Sequence, residues 1–132
     1  MKVIILNGPS NVGKTTTLHE LYNTLSPNGV NDIDIPKPHP FDAKDSIYYV
    51  KSNGKKIGIV TLGDYSIEIV FQIGVFLGKG ADILVIADSN KGFPDTICEW
   101  HGNKYDGAIE KTVVNINSIS DQSKVQEIIN KF

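Results

Sequence analysis

The sequence predicts an α/β fold in which helices cover both faces of a mainly parallel five-stranded sheet with one antiparallel edge strand. Short apolar runs rich in β-branched residues alternate along the chain with segments whose apolar residues recur at helical spacing. An Asn-Gly pair at residues 53–54 separates two of the strand-like runs, which is typical of a β-hairpin. The 132 residues are enough for one hydrophobic core, so we expect residues 1–132 to form a single domain.

The chain begins with a strand, a glycine-rich loop and a helix. Residues 2–6 are a short apolar run and predict a buried strand. Residues 15–25 carry leucine and tyrosine at helical spacing and predict the first helix, which residues 26–29 end with proline and glycine. The loop between them, residues 8–15, therefore joins the end of a strand to the start of a helix.

The middle of the chain predicts a loop, a hairpin, a helix and a central strand. Three prolines in near alternation make residues 30–43 an extended surface loop, whose contact with a substrate is left open. Residues 46–51 and 55–62 form the hairpin strands, and residues 66–77 form a largely buried helix. The continuous apolar run at residues 82–88 is the clearest buried strand.

The last part of the chain predicts a helix, a strand and a final helix. Residues 95–107 form the helix, with Asp95 or Thr96 as its cap and Ile97, Trp100 and Tyr105 expected to face inward. Residues 112–116 form the last strand, and residues 120–121 cap the final helix.

The glycine-rich loop carries the most specific motif. Residues 8–15 match G-x-x-x-x-G-K-[ST], the Walker A pattern, in the strand-loop-helix context that the pattern requires. Glycines let successive amides point inward at the positive end of a helix, which makes a cradle for nucleotide phosphates. The predicted binding residues are Gly8, Pro9, Ser10, Asn11, Val12, Gly13, Lys14, Thr15 and Thr16. Lys14 is expected to reach the β- and γ-phosphates, and the Thr15 hydroxyl to be a ligand of Mg²⁺.

On this motif, the first 25 residues resemble the start of a P-loop NTPase or a P-loop kinase. The resemblance implies ATP and Mg²⁺ as ligands, bound at the C-terminal ends of the strands. It also implies a strand order of 2-3-1-4-5, numbered along the sequence.

A magnesium-bound nucleotide needs a second acidic group near the metal, at the end of a neighbouring strand. Asp64 and Asp88 each follow a strand-like run, and in the implied order both strands flank the first one. We expect Asp64 to be the metal-side and catalytic carboxylate together with Lys14, because Gly63 allows close approach of a phosphate. Asp88 is the second metal candidate, and its alternative is a turn aspartate.

All 13 basic residues are lysines, so the chain contains no arginine. Arginine is the usual bidentate partner of a transferring phosphoryl group. We therefore expect either a lysine, with Lys91 best placed, or an arginine-donating protein partner to supply that charge.

The composition limits partners and location. A net charge of −2 without a basic cluster does not indicate nucleic-acid binding. No apolar run reaches membrane-spanning length, and a strand starting at Lys2 leaves no room for a signal peptide. With the single cysteine, Cys98, these features indicate a cytoplasmic protein.

Two functions remain open from the sequence. The first is an enzyme that transfers the γ-phosphoryl group of ATP, or of another nucleoside triphosphate, to water or to a small-molecule acceptor. The second is a nucleotide-binding regulatory or switch module with little activity alone. His19, on the first helix, is expected to be a surface residue.

Overall fold

The computed structural model describes residues 1–26, 46–63, 65–117 and 122–132. These ranges contain five strands and four helices. In chain order they are β1 (Lys2–Asn7), α1 (Lys14–Leu25), β2 (Ile47–Ser52), β3 (Lys55–Val60), α2 (Ser66–Gly78), β4 (Ile83–Asp88), α3 (Phe93–Lys104), β5 (Glu110–Asn115) and α4 (Gln122–Ile129). No helix in these ranges combines the length and the apolarity needed to cross a membrane.

The five strands form one sheet in the order β2-β3-β4-β1-β5. Strand β2 is antiparallel to β3, and the other neighbours are parallel, which confirms the α/β class and the antiparallel edge. The predicted order 2-3-1-4-5 is wrong, because β4 lies between β3 and β1. All six residues of β4 are buried, as is typical of the central strand of a sheet that helices cover on both faces.

Side chains alternate between two apolar cores, one on each face of the sheet. Ile4 and Leu6 of β1 pack on the face that carries α1 and α4. Val3 and Ile5 pack on the opposite face, against α2 and α3. The parity of a residue in a strand therefore decides which pair of helices it faces.

The hairpin turn between β2 and β3 has the predicted form. Asn53 and Gly54 both have positive φ angles, 50° and 77°, which a type I′ turn requires. The proline-containing loop at residues 30–43 and the cap at residues 120–121 lie outside the described residues.

Helix α3 differs from its prediction at both ends. It begins at Phe93 after the N-cap Gly92, with a proline in its first turn, rather than at residue 95. It ends at Lys104 rather than at residue 107. Trp100 and Tyr105 do not face inward, since 48% and 47% of their surfaces are exposed. Cys98 and His101 occupy the buried face of α3 instead. Ile97 does pack against the apolar core as predicted, so apolarity misassigned only the two aromatic side chains.

Candidate functional site

The glycine-rich loop leaves β1 between the ends of its two neighbouring strands. The amide of Gly8 donates a hydrogen bond to the carbonyl oxygen of Asp88 at 3.1 Å. A Cβ atom on Gly8 would overlap the carbonyl oxygen of Ile116, so only glycine fits there. The start of the loop is therefore held at the C-terminal edge of the sheet, between β4 and β5.

Helix α1 begins with its amide end directed at this loop. Gly13 is the N-cap and has a φ angle of 89°, in the left-handed region that favours glycine. The amide and the hydroxyl of Thr17 both donate to the Gly13 carbonyl oxygen, at 2.9 and 2.8 Å. The amides of Thr15 and Thr16 precede this first helical hydrogen bond, and no acidic side chain lies in the first turn. This end of the helix therefore favours an anion.

Lys14 places a positive charge inside the loop. Only 8% of its surface is exposed, and its Nζ donates to the carbonyl oxygens of Gly8 and Pro9 at 2.8 and 2.6 Å. These two hydrogen bonds tie the start of α1 to the start of the loop. The ammonium group is thus fixed beside the amides that precede the first helical bond.

A cavity of about 710 Å³ lies against the loop. Its described lining residues are Ser10, Asn11, Gly13, Lys14, Thr15, Thr16, His19, Thr61, Leu62, Gly63, Ala87 and Ser89. Six of the nine predicted binding residues are in this set. The other three, Gly8, Pro9 and Val12, do not line the cavity, although Gly8 and Pro9 accept the hydrogen bonds of Lys14.

The end of β3 forms the wall opposite the loop. Gly63 lines the cavity, and a Cβ atom there would overlap the carbonyl oxygen of Ala87 on β4. The glycine is therefore required for close approach of two neighbouring backbones. Asp64, the next residue, lies outside the described residues, and its metal-side and catalytic roles stay predictions.

The side chain of Asp88 lies on the face of the sheet away from the large cavity. Its neighbours Ala87 and Ser89 line the large cavity, whereas Asp88 lines a separate cavity of about 260 Å³. Its Oδ1 accepts a hydrogen bond from the Lys91 amide at 3.3 Å, as a turn aspartate does. The two predicted carboxylates also do not both flank β1, because the strand before Asp64 pairs with β4.

The structure adds His19 and Tyr48 to the site. His19 is partly buried, and it lines the large cavity. Its Nδ1 lies 2.6 Å from the hydroxyl of Tyr48, whose ring stacks on Tyr22 with centroids 4.0 Å apart. The signal for His19 was its spacing, because a residue four positions after Thr15 lies on the same face of α1.

Among the described residues, Thr15 is the predicted magnesium ligand that lines the cavity. They contain no group of three or more histidine, cysteine or acidic side chains that could hold a metal ion. Magnesium takes most of its ligands from phosphate and water oxygens and needs only one or two from protein. The hydroxyl-bearing Thr15 in the cavity wall fits that requirement.

Among the described residues, Lys91, Cys98 and His101 do not line the large cavity. Lys91 is exposed and does not line it. Burial raises the pKa of the Cys98 thiol to about 12, so this cysteine stays protonated and packs as a core residue. Burial also lowers the pKa of His101, which keeps that imidazole neutral.

Comparisons with protein-family models, with curated proteins and with solved structures found no match to this chain. The function is therefore inferred from the site itself.

Proposed function

We propose that this protein binds a nucleoside triphosphate, with ATP as the first candidate, and transfers its γ-phosphoryl group to water or to a small acceptor. The carrying observation is the buried ammonium of Lys14 beside the amide end of α1, in the wall of a large cavity. The Walker A pattern at residues 8–15 supplies the identity of the anion, a nucleotide phosphate chain.

The site offers both charge and room for such a ligand. The first turn of α1 carries Lys14, Thr15 and Thr16 and no acidic residue, so the helix dipole and the ammonium act in the same direction. Ligand cavities for small molecules commonly measure roughly 300–1,000 Å³. The cavity of about 710 Å³ lies within that range.

In the proposed reaction, the protein acts by positioning and by stabilising charge. Amides of the loop and of the first turn hold the phosphate oxygens, and Lys14 neutralises charge on the β- and γ-phosphates. Mg²⁺ would be held by the Thr15 hydroxyl, with Asp64 as the carboxylate near it, and would neutralise further charge on the phosphates. The attacking oxygen forms its bond to the γ-phosphorus as the bond to the nucleoside diphosphate breaks.

A second function, a nucleotide-binding regulatory module, is favoured by one feature of the cavity. None of its described lining residues is a carboxylate, and the chain contains no arginine. For catalysis, Asp64 would have to act as the base, and a partner would have to supply the bidentate cation. ATP turnover by the purified protein, with and without acceptors, discriminates the two functions.

Nucleotide binding is tested by calorimetry with Mg-ATP on the wild type and on Lys14→Ala. We expect Lys14→Ala to weaken binding at least about tenfold, because a hydrogen bond to a charged group contributes about 1.5–3 kcal/mol. The matched control is Lys51→Ala, an exposed lysine on β2, which should bind like the wild type. Thermal unfolding checks that both variants fold. Equal affinity of Lys14→Ala and the wild type would exclude the proposed site.

We expect the isolated protein to hydrolyse ATP slowly, below about one turnover per minute. Hydrolases of this kind are slow without an arginine finger, which raises the rate by about 10³–10⁵. Phosphate release in Mg-ATP buffer measures the rate, and an arginine-bearing partner or a specific acceptor should raise it. Fast turnover that survives Lys91→Ala would show that neither arginine nor this lysine is needed.

A further inference from the structure

His19 shares the cavity with the glycine-rich loop, although it lies outside the Walker A pattern. It lies one turn after Thr15 on α1, on the same face of the helix. Among the described residues that line the cavity, Lys14 and His19 are the two whose side chains can carry a positive charge. An anion in the cavity would therefore find its second ionisable donor at His19.

Tyr48 determines which ring nitrogen of His19 can act as a donor toward a ligand. The hydroxyl of Tyr48 lies 2.6 Å from Nδ1. In the tautomer with its ring proton on Nε2, the Tyr48 hydroxyl donates and Nδ1 accepts. This tautomer leaves the Nε2–H group available as a donor to a ligand.

The Tyr48 ring is itself held in place. It belongs to β2 and stacks on Tyr22 of α1, with ring centroids 4.0 Å apart and an angle of 8° between the planes. The His19 ring meets it edge-on, with centroids 5.7 Å apart. Strand β2 and helix α1 thus fix the orientation of the imidazole before any ligand arrives.

We propose that His19 donates its Nε2–H to an oxygen of the γ-phosphoryl group, and that Tyr48 is the positioning residue for this contact. The inference rests on the proposed function. Thr15 is the predicted ligand of Mg²⁺, which bridges the β- and γ-phosphates. The next turn of α1, which faces the same cavity, therefore lies beside the terminal phosphate. His19 supplies there a directed donor that arginine supplies in other phosphoryl-transfer sites.

This contact predicts discrimination between a triphosphate and a diphosphate. A donor to the γ-phosphoryl group contributes to the affinity for ATP and has no partner in ADP. Lys14 and the loop amides, by contrast, also contact the β-phosphate and hold both nucleotides. The ratio of the two affinities is therefore specific for His19, and general damage to the fold does not imitate it.

The experiment measures the affinities for Mg-ATP and Mg-ADP by calorimetry on the wild type and on three variants. His19→Ala should lower the ATP-to-ADP affinity ratio about tenfold, with ADP affinity unchanged. His19→Gln should keep most of the ratio, because the glutamine amide can donate from nearly the same place as Nε2. Tyr48→Phe keeps the ring, loses the hydroxyl and should lower the ratio about threefold, through a less well-oriented donor. Thermal unfolding of each variant accompanies the titrations.

Several results would overturn the assignment. An unchanged ratio in His19→Ala excludes a γ-phosphoryl contact, and equal weakening of ATP and ADP makes His19 a structural residue only. If His19→Gln keeps no more of the ATP-to-ADP affinity ratio than His19→Ala does, a donor role at Nε2 is excluded. If Tyr48→Phe leaves the ratio unchanged, the positioning role of Tyr48 is excluded.

A parallel titration of Lys14→Ala separates this inference from the proposed function. If Lys14→Ala binds both nucleotides like the wild type, the proposed site itself fails. If Lys14→Ala loses both nucleotides while His19→Ala keeps the wild-type ratio, only the assignment of His19 fails.

Discussion

The loops after β1 and β4 have similar backbones and opposite chemistry. The two strands are parallel neighbours, with Asn7 and Asp88 paired at their ends. Each loop ends in a left-handed glycine that is the N-cap of a helix, Gly13 with a φ angle of 89° and Gly92 with 69°. Judged by backbone alone, both helices present an anion-binding end at the same edge of the sheet.

Side chains distinguish the two helix ends. The first turn of α1 contains the buried Lys14 and no acid, beside a cavity of about 710 Å³. The first turn of α3 contains Asp95 and Pro94, which brings a negative charge and removes one amide donor. Asp88, at the end of β4, adds a carboxylate to the wall of a cavity of about 260 Å³, which Gly92 and Asp95 also line. The charges at the start of α1 therefore favour an anion more than those at the start of α3 do.

The largest effect is expected in the magnesium response, which compares Asp64, after β3, with Asp88, at the end of β4 and beneath the second loop. Asp64→Asn should reduce the gain in ATP affinity that Mg²⁺ produces by about tenfold, since residues around a metal typically matter by 10–100-fold. Asp88→Asn should change that gain by less than about threefold. The Asp88 carboxylate faces the other side of the sheet and accepts a hydrogen bond from the Lys91 amide. Titrations of ATP with Mg²⁺ and with a chelator measure both. The reverse ranking would place the metal beside β4.

A smaller effect is expected from the two N-cap glycines. Gly13→Ala and Gly92→Ala each force a Cβ into the left-handed region, so each should lower the free energy of unfolding by about 1–2 kcal/mol. Denaturant unfolding measures that loss. Only Gly13→Ala should also weaken Mg-ATP binding, because Gly13 itself lines the large cavity, whereas Gly92 lines the separate smaller one. Equal loss of binding in both variants would remove the distinction between the loops.

Local patterns predicted the elements of this fold, but they did not predict the order of its strands. Apolar runs and the Asn-Gly turn located β1, the hairpin and β4, because those signals depend on neighbouring residues. Strand order depends on which edges pair, and no periodicity within a strand encodes it. The one relevant clue was the unbroken apolar run of β4, since the fully buried strand takes the centre of the sheet.

The residues of the Walker A pattern lie together at one cavity, while their binding role stays a prediction. Six of the nine predicted binding residues line the cavity, because the loop conformation and the start of α1 follow from the motif. Side chains of β4 alternate between the two faces of the sheet, and both faces are buried. The apolar run therefore does not show on which face Asp88 lies. The contact between His19 and Tyr48 was not predicted, because Tyr48 is 29 positions away in sequence and is brought to α1 by β2.

The most direct test of the account follows the backbone amides of the wild-type protein by NMR as Mg-ATP is added. We predict the largest shifts at Gly13, Lys14, Thr15 and Thr16, where the phosphates are expected to bind, and small shifts at Gly92 and Thr96, at the start of α3. Saturable shifts confined to the first group would support a phosphate site on the loop after β1. No shift on addition of Mg-ATP, or the largest shifts at the start of α3, would contradict it.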